Sequence, residues 1–159
     1  MAYNHEEDGK THVNIYSQGK TSLGRFLSNF TQVTMATEDG YFESVEGYWY
    51  WLGADPKNPD RDKLRNMHGF RAKEFGRALH KDKQVKIDGF EDKIKAAITI
   101  KMQNSPTMWA QLTNNKLPLA HYYVYGGKVV EPHGNEWLID HFRDLSRERL
   151  IDHFRDLST

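Results

Sequence analysis

The chain contains no cysteine. That excludes disulfides, thiol nucleophiles and thiolate metal sites. It carries no net charge either, because 22 basic residues balance 22 acidic ones. This argues against a protein that wraps nucleic acid by charge alone, though it leaves room for a local basic patch. No apolar run approaches the roughly 18 residues that span a membrane. The stretch from Met1 to Asp8 is polar and acidic and has no signal-peptide core. The sequence therefore predicts a cytoplasmic protein without a membrane partner.

Several familiar signatures are also missing. Gly19-Lys20-Thr21 invites a phosphate-loop reading, but that motif needs a glycine where this chain has Asn14. No Gly-x-Gly-x-x-Gly follows a strand, and no Gly-x-Ser-x-Gly is present. Eight histidines occur without a His-Glu-x-x-His pair. No metal and no cofactor are expected from such a set.

What is present is a globular composition. Hydrophobic residues make up 38% of the 159, and aromatic residues 13%. That is enough for one domain with a real core. Val13 to Tyr16 and Thr31 to Thr37 alternate like strands. Ser17 to Gly24 reads as a polar loop. Ser44 can cap a helix over Val45 to Leu52, and Asp60 another that reaches His68. Helical spacing also marks Phe70 to Leu79, the stretch from Gly89 to Met102, and a segment that starts at Ser105-Pro106. Leu119 to Tyr125 followed by Gly126-Gly127 and Lys128 to Val130 reads as a hairpin.

The C-terminal region holds one internal repeat. Leu138–Ser146 and Leu150–Ser158 have the same nine residues at an offset of 12. Twelve residues turn a helix by about 1200°, so the two apolar stripes lie about 120° apart. One continuous helix cannot bury both on one face. The first copy is expected to dock and the second to project or fray.

Three clusters can carry chemistry. The first is Gly24 to Phe30, where Arg25, Ser28, Asn29 and Phe30 suit a loop that bonds sugar hydroxyls or phosphate. A capped turn over the core is the other reading. The second is Glu46, set among Tyr48, Trp49, Tyr50 and Trp51. A carboxylate short of water has a raised pKa and can serve as a general acid or base. A core helix with its acid in solvent fits the same pattern. In the third, Lys73 and Arg77 share a helix face, and their repulsion lowers the lysine pKa. A solvated basic face is the alternative. His121-Tyr122-Tyr123 adds polar aromatics on a strand.

Taken in order, these residues resemble a known family. Tyr16-Ser17, Leu27 to Phe30, Ser44 to Trp49, and Ala72 to Arg77 ending in Gly76-Arg77 are similar to the NADAR, or YbiA-like, proteins. The resemblance runs over residues 13–146. It implies an α+β, mainly α-helical fold, a single compact domain with a few short strands. Residues 1–12 would be a flexible N-terminus and 147–159 a duplicated tail. It implies N-glycosidase activity at ribose. Some members act on ribosylamino intermediates of riboflavin synthesis. Others bind ADP-ribose and remove it from guanine in DNA, countering toxins; phage-encoded members exist. Riboflavin-type members carry a lysine where this chain has Gly53, and a late Asp…Trp-Gly motif absent here. Those departures favour the ADP-ribose branch. On that reading Glu46 and Lys73 are catalytic. Arg25, Ser28, Asn29, Phe30, Tyr48, Trp49, Arg77, His121 and Tyr122 bind the substrate. The partner is the ADP-ribose moiety of modified nucleic acid, with single-stranded DNA the more reachable form. A metabolite N-glycosidase and a non-catalytic ADP-ribose binder are the alternatives.

Overall fold

The computed structural model describes residues 3–158, with side chains through residue 148. Six helices and six short strands follow in order: β1 (Val13–Asn14), α1 (Ser22–Leu27), β2 (Met35–Thr37), β3 (Gly40–Phe42), α2 (Val45–Gly53), α3 (Gly69–Asp82), α4 (Phe90–Gln103), α5 (Pro106–Asn114), β4 (Leu119–Ala120), β5 (Tyr123–Tyr125), β6 (Lys128–Val130) and α6 (Glu136–Ser158). The class is α+β and mainly helical. The chain packs as two units, Met1–Ser28 with Ser105–Thr159, and Asn29–Asn104.

In the first unit β1 and β4 pair in parallel, Val13 opposite Leu119 and Asn14 opposite Ala120. The buried Asn14 side chain then continues the ladder. Its Nδ2 donates to the Tyr122 carbonyl at 3.0 Å and its Oδ1 accepts from the Tyr122 N–H at 2.9 Å. The N-terminal stretch, expected to be loose, is held down. His5–Glu7 form a 3-10 turn. The buried Asp8 carboxylate accepts the N–H groups of Asn14 and Lys20 at 2.9 and 2.8 Å. Residues 1–2 of that stretch lie outside the described residues.

Ser17 to Gly24 is not all loop, because α1 begins at Ser22 under a Thr21 cap. Gly24 sits in this helix because the Asn14 carbonyl lies where a Cβ would be. The hairpin of β5 and β6 turns on Gly126 and Gly127, both at positive φ (54° and 80°), as a two-residue turn requires.

The helix α6 runs through both copies of the repeat. Leu138, Phe142 and Leu145 of the first copy are buried, and Trp109 of α5 donates to the Leu145 carbonyl at 2.9 Å. The side chains of the second copy lie outside the described residues.

In the second unit, the β2–β3 hairpin and helices α2, α3 and α4 enclose Met35, Phe42, Leu64, Ile94 and Met102. The segment Pro59–Asn66 is a 3-10 turn capped by Asn58, two residues earlier than the Asp60 cap that the sequence suggests. Asp39 ties the hairpin tip to the core. It accepts the Tyr48 hydroxyl at 2.6 Å and Lys93 Nζ at 3.0 Å. Burial alone would raise its pKa, but those two hydrogen bonds and the Lys93 charge outweigh that and lower it. The stability it contributes is therefore present above the unfolded carboxyl pKa and is lost as pH falls through the folded one. Asp39→Asn should cost about 1 kcal/mol at pH 7. Urea unfolding would show the deficit shrinking toward pH 3; a deficit independent of pH would contradict the assignment.

Candidate active site

The site begins with a helix cap. Ser44 Oγ accepts the Gly47 N–H at 3.0 Å and donates to the Met67 carbonyl at 2.8 Å. This starts α2 and fixes its phase. Val45, Tyr48, Trp51 and Leu52 then face the core and are buried. Positions 46, 49, 50 and 53 are left on the opposite stripe, at i, i+3, i+4 and i+7. Glu46 thus shares a face with Trp49, Tyr50 and Gly53.

Helix α3 presents a matching stripe of Lys73, Gly76, Arg77 and His80. The two stripes meet. Lys73 and Arg77 act electrostatically on Glu46. A Cβ on Gly76 would run into Tyr50, and one on Gly53 would lie 2.8 Å from His80 Cε1. His80 Nε2 donates to the Tyr50 carbonyl at 3.0 Å, with the rings 4.9 Å apart. Pairings 46 with 73, 50 with 76 and 53 with 80 require that α2 and α3 run in the same direction. Their N-termini therefore lie at the same end.

Asn29-Phe30 joins those two ends. The Asn29 carbonyl accepts the Glu46 N–H at 2.9 Å, and the Phe30 carbonyl accepts the Gly69 N–H at 3.0 Å. Each carbonyl satisfies one amide at a helix N-terminus. The same segment brings the Phe30 ring to 6.0 Å from Lys73 Nζ. Two positive helix ends at Glu46 and Lys73 favour an anion or developing negative charge.

The titration of the cluster follows from its packing. Burial pushes the Glu46 carboxyl up to about 7, against the pull of Lys73 and Arg77. Burial lowers the Lys73 ammonium, Arg77 lowers it further, and Glu46 opposes both. Burial raises the Tyr50 phenol and the Glu46 charge adds to that, while Arg77 works the other way through charge and a hydrogen bond. Near neutral pH, Glu46 is thus divided between acid and carboxylate. An acid and a base are both available from one side chain.

The structure brings together Asn29, Phe30, Glu46, Lys73 and Arg77, with Trp49 one turn along α2. Tyr48 is a correction. Its ring is fully buried against Phe42 and Trp51, so it offers no face to a base. Four residues assigned to substrate lie in the other unit. Arg25 Nη1 donates to the Gly19 carbonyl at 2.8 Å. Ser28 is buried at the end of α1. His121 Nδ1 donates to the Ile15 carbonyl at 2.7 Å, and burial keeps its pKa low. Tyr122 is fully buried, its hydroxyl 2.6 Å from His12 Nε2, so stacking on a base is corrected for it as well. Sequence reasoning assigned no role to Tyr50, Gly76 or His80. Their signal was spacing: Tyr50 is four after Glu46, and Gly76 and His80 are three and seven after Lys73.

No protein-family model matches the chain, and no curated protein matches it. The architecture is nevertheless a known one, an α+β fold similar to that of a solved structure, the NMR structure of the E. coli protein YbiA. The match has a TM-score of 0.66 and covers 91% of this chain and 88% of that one at 19% identity. The likeness is one of fold, and it is the fold that the family resemblance implies.

Proposed function

We propose that this protein is an N-glycosidase that hydrolyses the bond between ADP-ribose and a nucleic-acid base, guanine in DNA, reversing the work of a toxin or defence transferase. The observation that carries the reading is Glu46, held near neutral pKa beside Lys73 where two helix N-termini converge. Protonated Glu46 gives its proton to the base as the C1″–N bond breaks and the bonding pair leaves with the base. The ribose carbon becomes oxocarbenium-like, and water attacks it. Arg77 and the helix ends hold the diphosphate. The collision that a side chain at Gly53 would have with His80 supports the departure from riboflavin-type members.

Lys73 has an alternative role as an amine nucleophile on the ring-opened sugar, forming a Schiff base. Borohydride added during turnover separates the two. Trapping an adduct on Lys73 would place the amine in the reaction. No adduct, with Lys73→Ala losing about tenfold or less, would make Lys73 an electrostatic partner of Glu46. The substrate itself is tested by a panel of single-stranded DNA carrying ADP-ribosyl-guanine, ribosylamino metabolites and free ADP-ribose. Release of ADP-ribose from the DNA is expected. Turnover of the metabolites alone would favour the metabolite enzyme, and tight ADP-ribose binding without turnover a silent binder.

A further inference from the structure

The α2 stripe does not end at Tyr50. Beyond it lies a cleft of about 630 Å³ between the end of α2, the end of α3 and the start of α4. That size is typical of small-molecule sites, roughly 300–1000 Å³. Trp49 lines it, with its ring set edge-to-face on Phe90 at 4.8 Å and 89°. This contact holds the indole in place, so the wall offers a preset aromatic surface. His80 also lines the cleft. Its Nε2 is held by the Tyr50 carbonyl, which fixes the ring at the cleft wall.

The rim settles the kind of ligand. Asp88, Glu91 and Asp92 line it together with one lysine, Lys86. Three carboxylates against one ammonium repel phosphate and attract N–H donors. Among the described residues no His, Cys, Asp or Glu group is arranged to hold a metal. Trp49 is one helical turn from Glu46, so a ring on Trp49 lies along the helix from the acid.

Resting on the glycosidase reading, we infer that this cleft is the leaving-group subsite and takes the base ring itself, an aromatic heterocycle with an exocyclic amine, while the phosphates of the strand stay outside the acidic rim. The ADP-ribose half lies toward Lys73 and Arg77, and the base toward the acidic rim. Charge divides the substrate between the two ends.

Calorimetry on the full chain tests this with guanosine and inosine, which differ by one exocyclic amine. Guanosine should bind about fivefold tighter than inosine, the worth of one hydrogen bond. Guanosine monophosphate should bind more weakly than guanosine. Ile87→Trp fills the cleft and should weaken guanosine about tenfold while ADP-ribose affinity holds within about twofold. Asp92→Lys changes an exposed residue and should bring the monophosphate level with guanosine. Equal binding of guanosine and inosine, no guanosine binding, or full guanosine affinity in Ile87→Trp each overturns the subsite. ADP-ribose release by wild type beside any of those results leaves the glycosidase reading standing. Guanosine preference with no release by wild type sinks that reading and keeps a base-binding cleft.

Discussion

Glu46→Gln is expected to abolish turnover and, at pH 8, to make the protein more stable. Loss of a general acid costs about 10²- to 10⁴-fold in rate. Glutamine keeps the size and the place on α2 but has no proton to give. The stability effect has the opposite sign, and the pKa shift explains it. The Glu46 carboxyl goes from 4.5 to about 7 on folding, chiefly by burial. Between those values the folded chain binds more protons than the unfolded one, so stability falls as pH rises. Full stability from this group is present below 4.5 and is lost by the time pH passes about 7. At about 1.4 kcal/mol per pKa unit the ceiling is about 3 kcal/mol. Glu46 is only half-buried, so a gain of about 1–2 kcal/mol at pH 8 is expected of the variant. Urea unfolding from pH 5 to pH 8 should show the advantage of glutamine growing with pH. A variant less stable than wild type at pH 8 would overturn the burial account.

Gly76→Ala has the largest expected structural effect. The added methyl would overlap Tyr50 Cβ, Cγ and Cδ1. Tyr50 cannot swing aside cheaply. The His80 ring covers it and His80 Nε2 holds its carbonyl. The helices must separate instead, at a cost of about 3 kcal/mol. In a chain of this length that lowers the melting temperature by about 10 °C. Separation also takes Lys73 away from Glu46, so the carboxyl loses a partner and activity falls in the folded fraction too. Glu74→Ala, on an exposed position of the same helix, is the control and should change stability by less than about 0.5 kcal/mol. A melting temperature unchanged in Gly76→Ala would mean that α2 and α3 do not pack as described.

The legible parts of the molecule were those with local causes. Ser44 before an apolar run, Pro106 after Ser105, and the glycine pair at the hairpin each act within a few residues, and each element formed where its signal stood. The first turn of α1 reads as loop in the sequence, because Ser17 to Gly24 is polar and holds two glycines. The reason for Gly24 is the Asn14 carbonyl, which no local pattern contains.

Positions 48 to 51 failed differently. All four are aromatic, so periodicity could not say which face is buried. The Asp39 hydrogen bond and the Phe42 ring put Tyr48 inside and leave Trp49 and Tyr50 on the Glu46 stripe. The carboxylate and the lysine were both visible as candidates. Their meeting across 27 positions was not, because it depends on two helices laid side by side in the same direction.

The central claim is glycosidic cleavage directed by Glu46. Incubating the protein in excess with single-stranded DNA that carries ADP-ribosyl-guanine, and measuring free ADP-ribose by mass, tests it most directly. Wild type should release ADP-ribose with the DNA restored, and Glu46→Gln should release none in the same time. No release by wild type, or equal release by both proteins, would contradict the account.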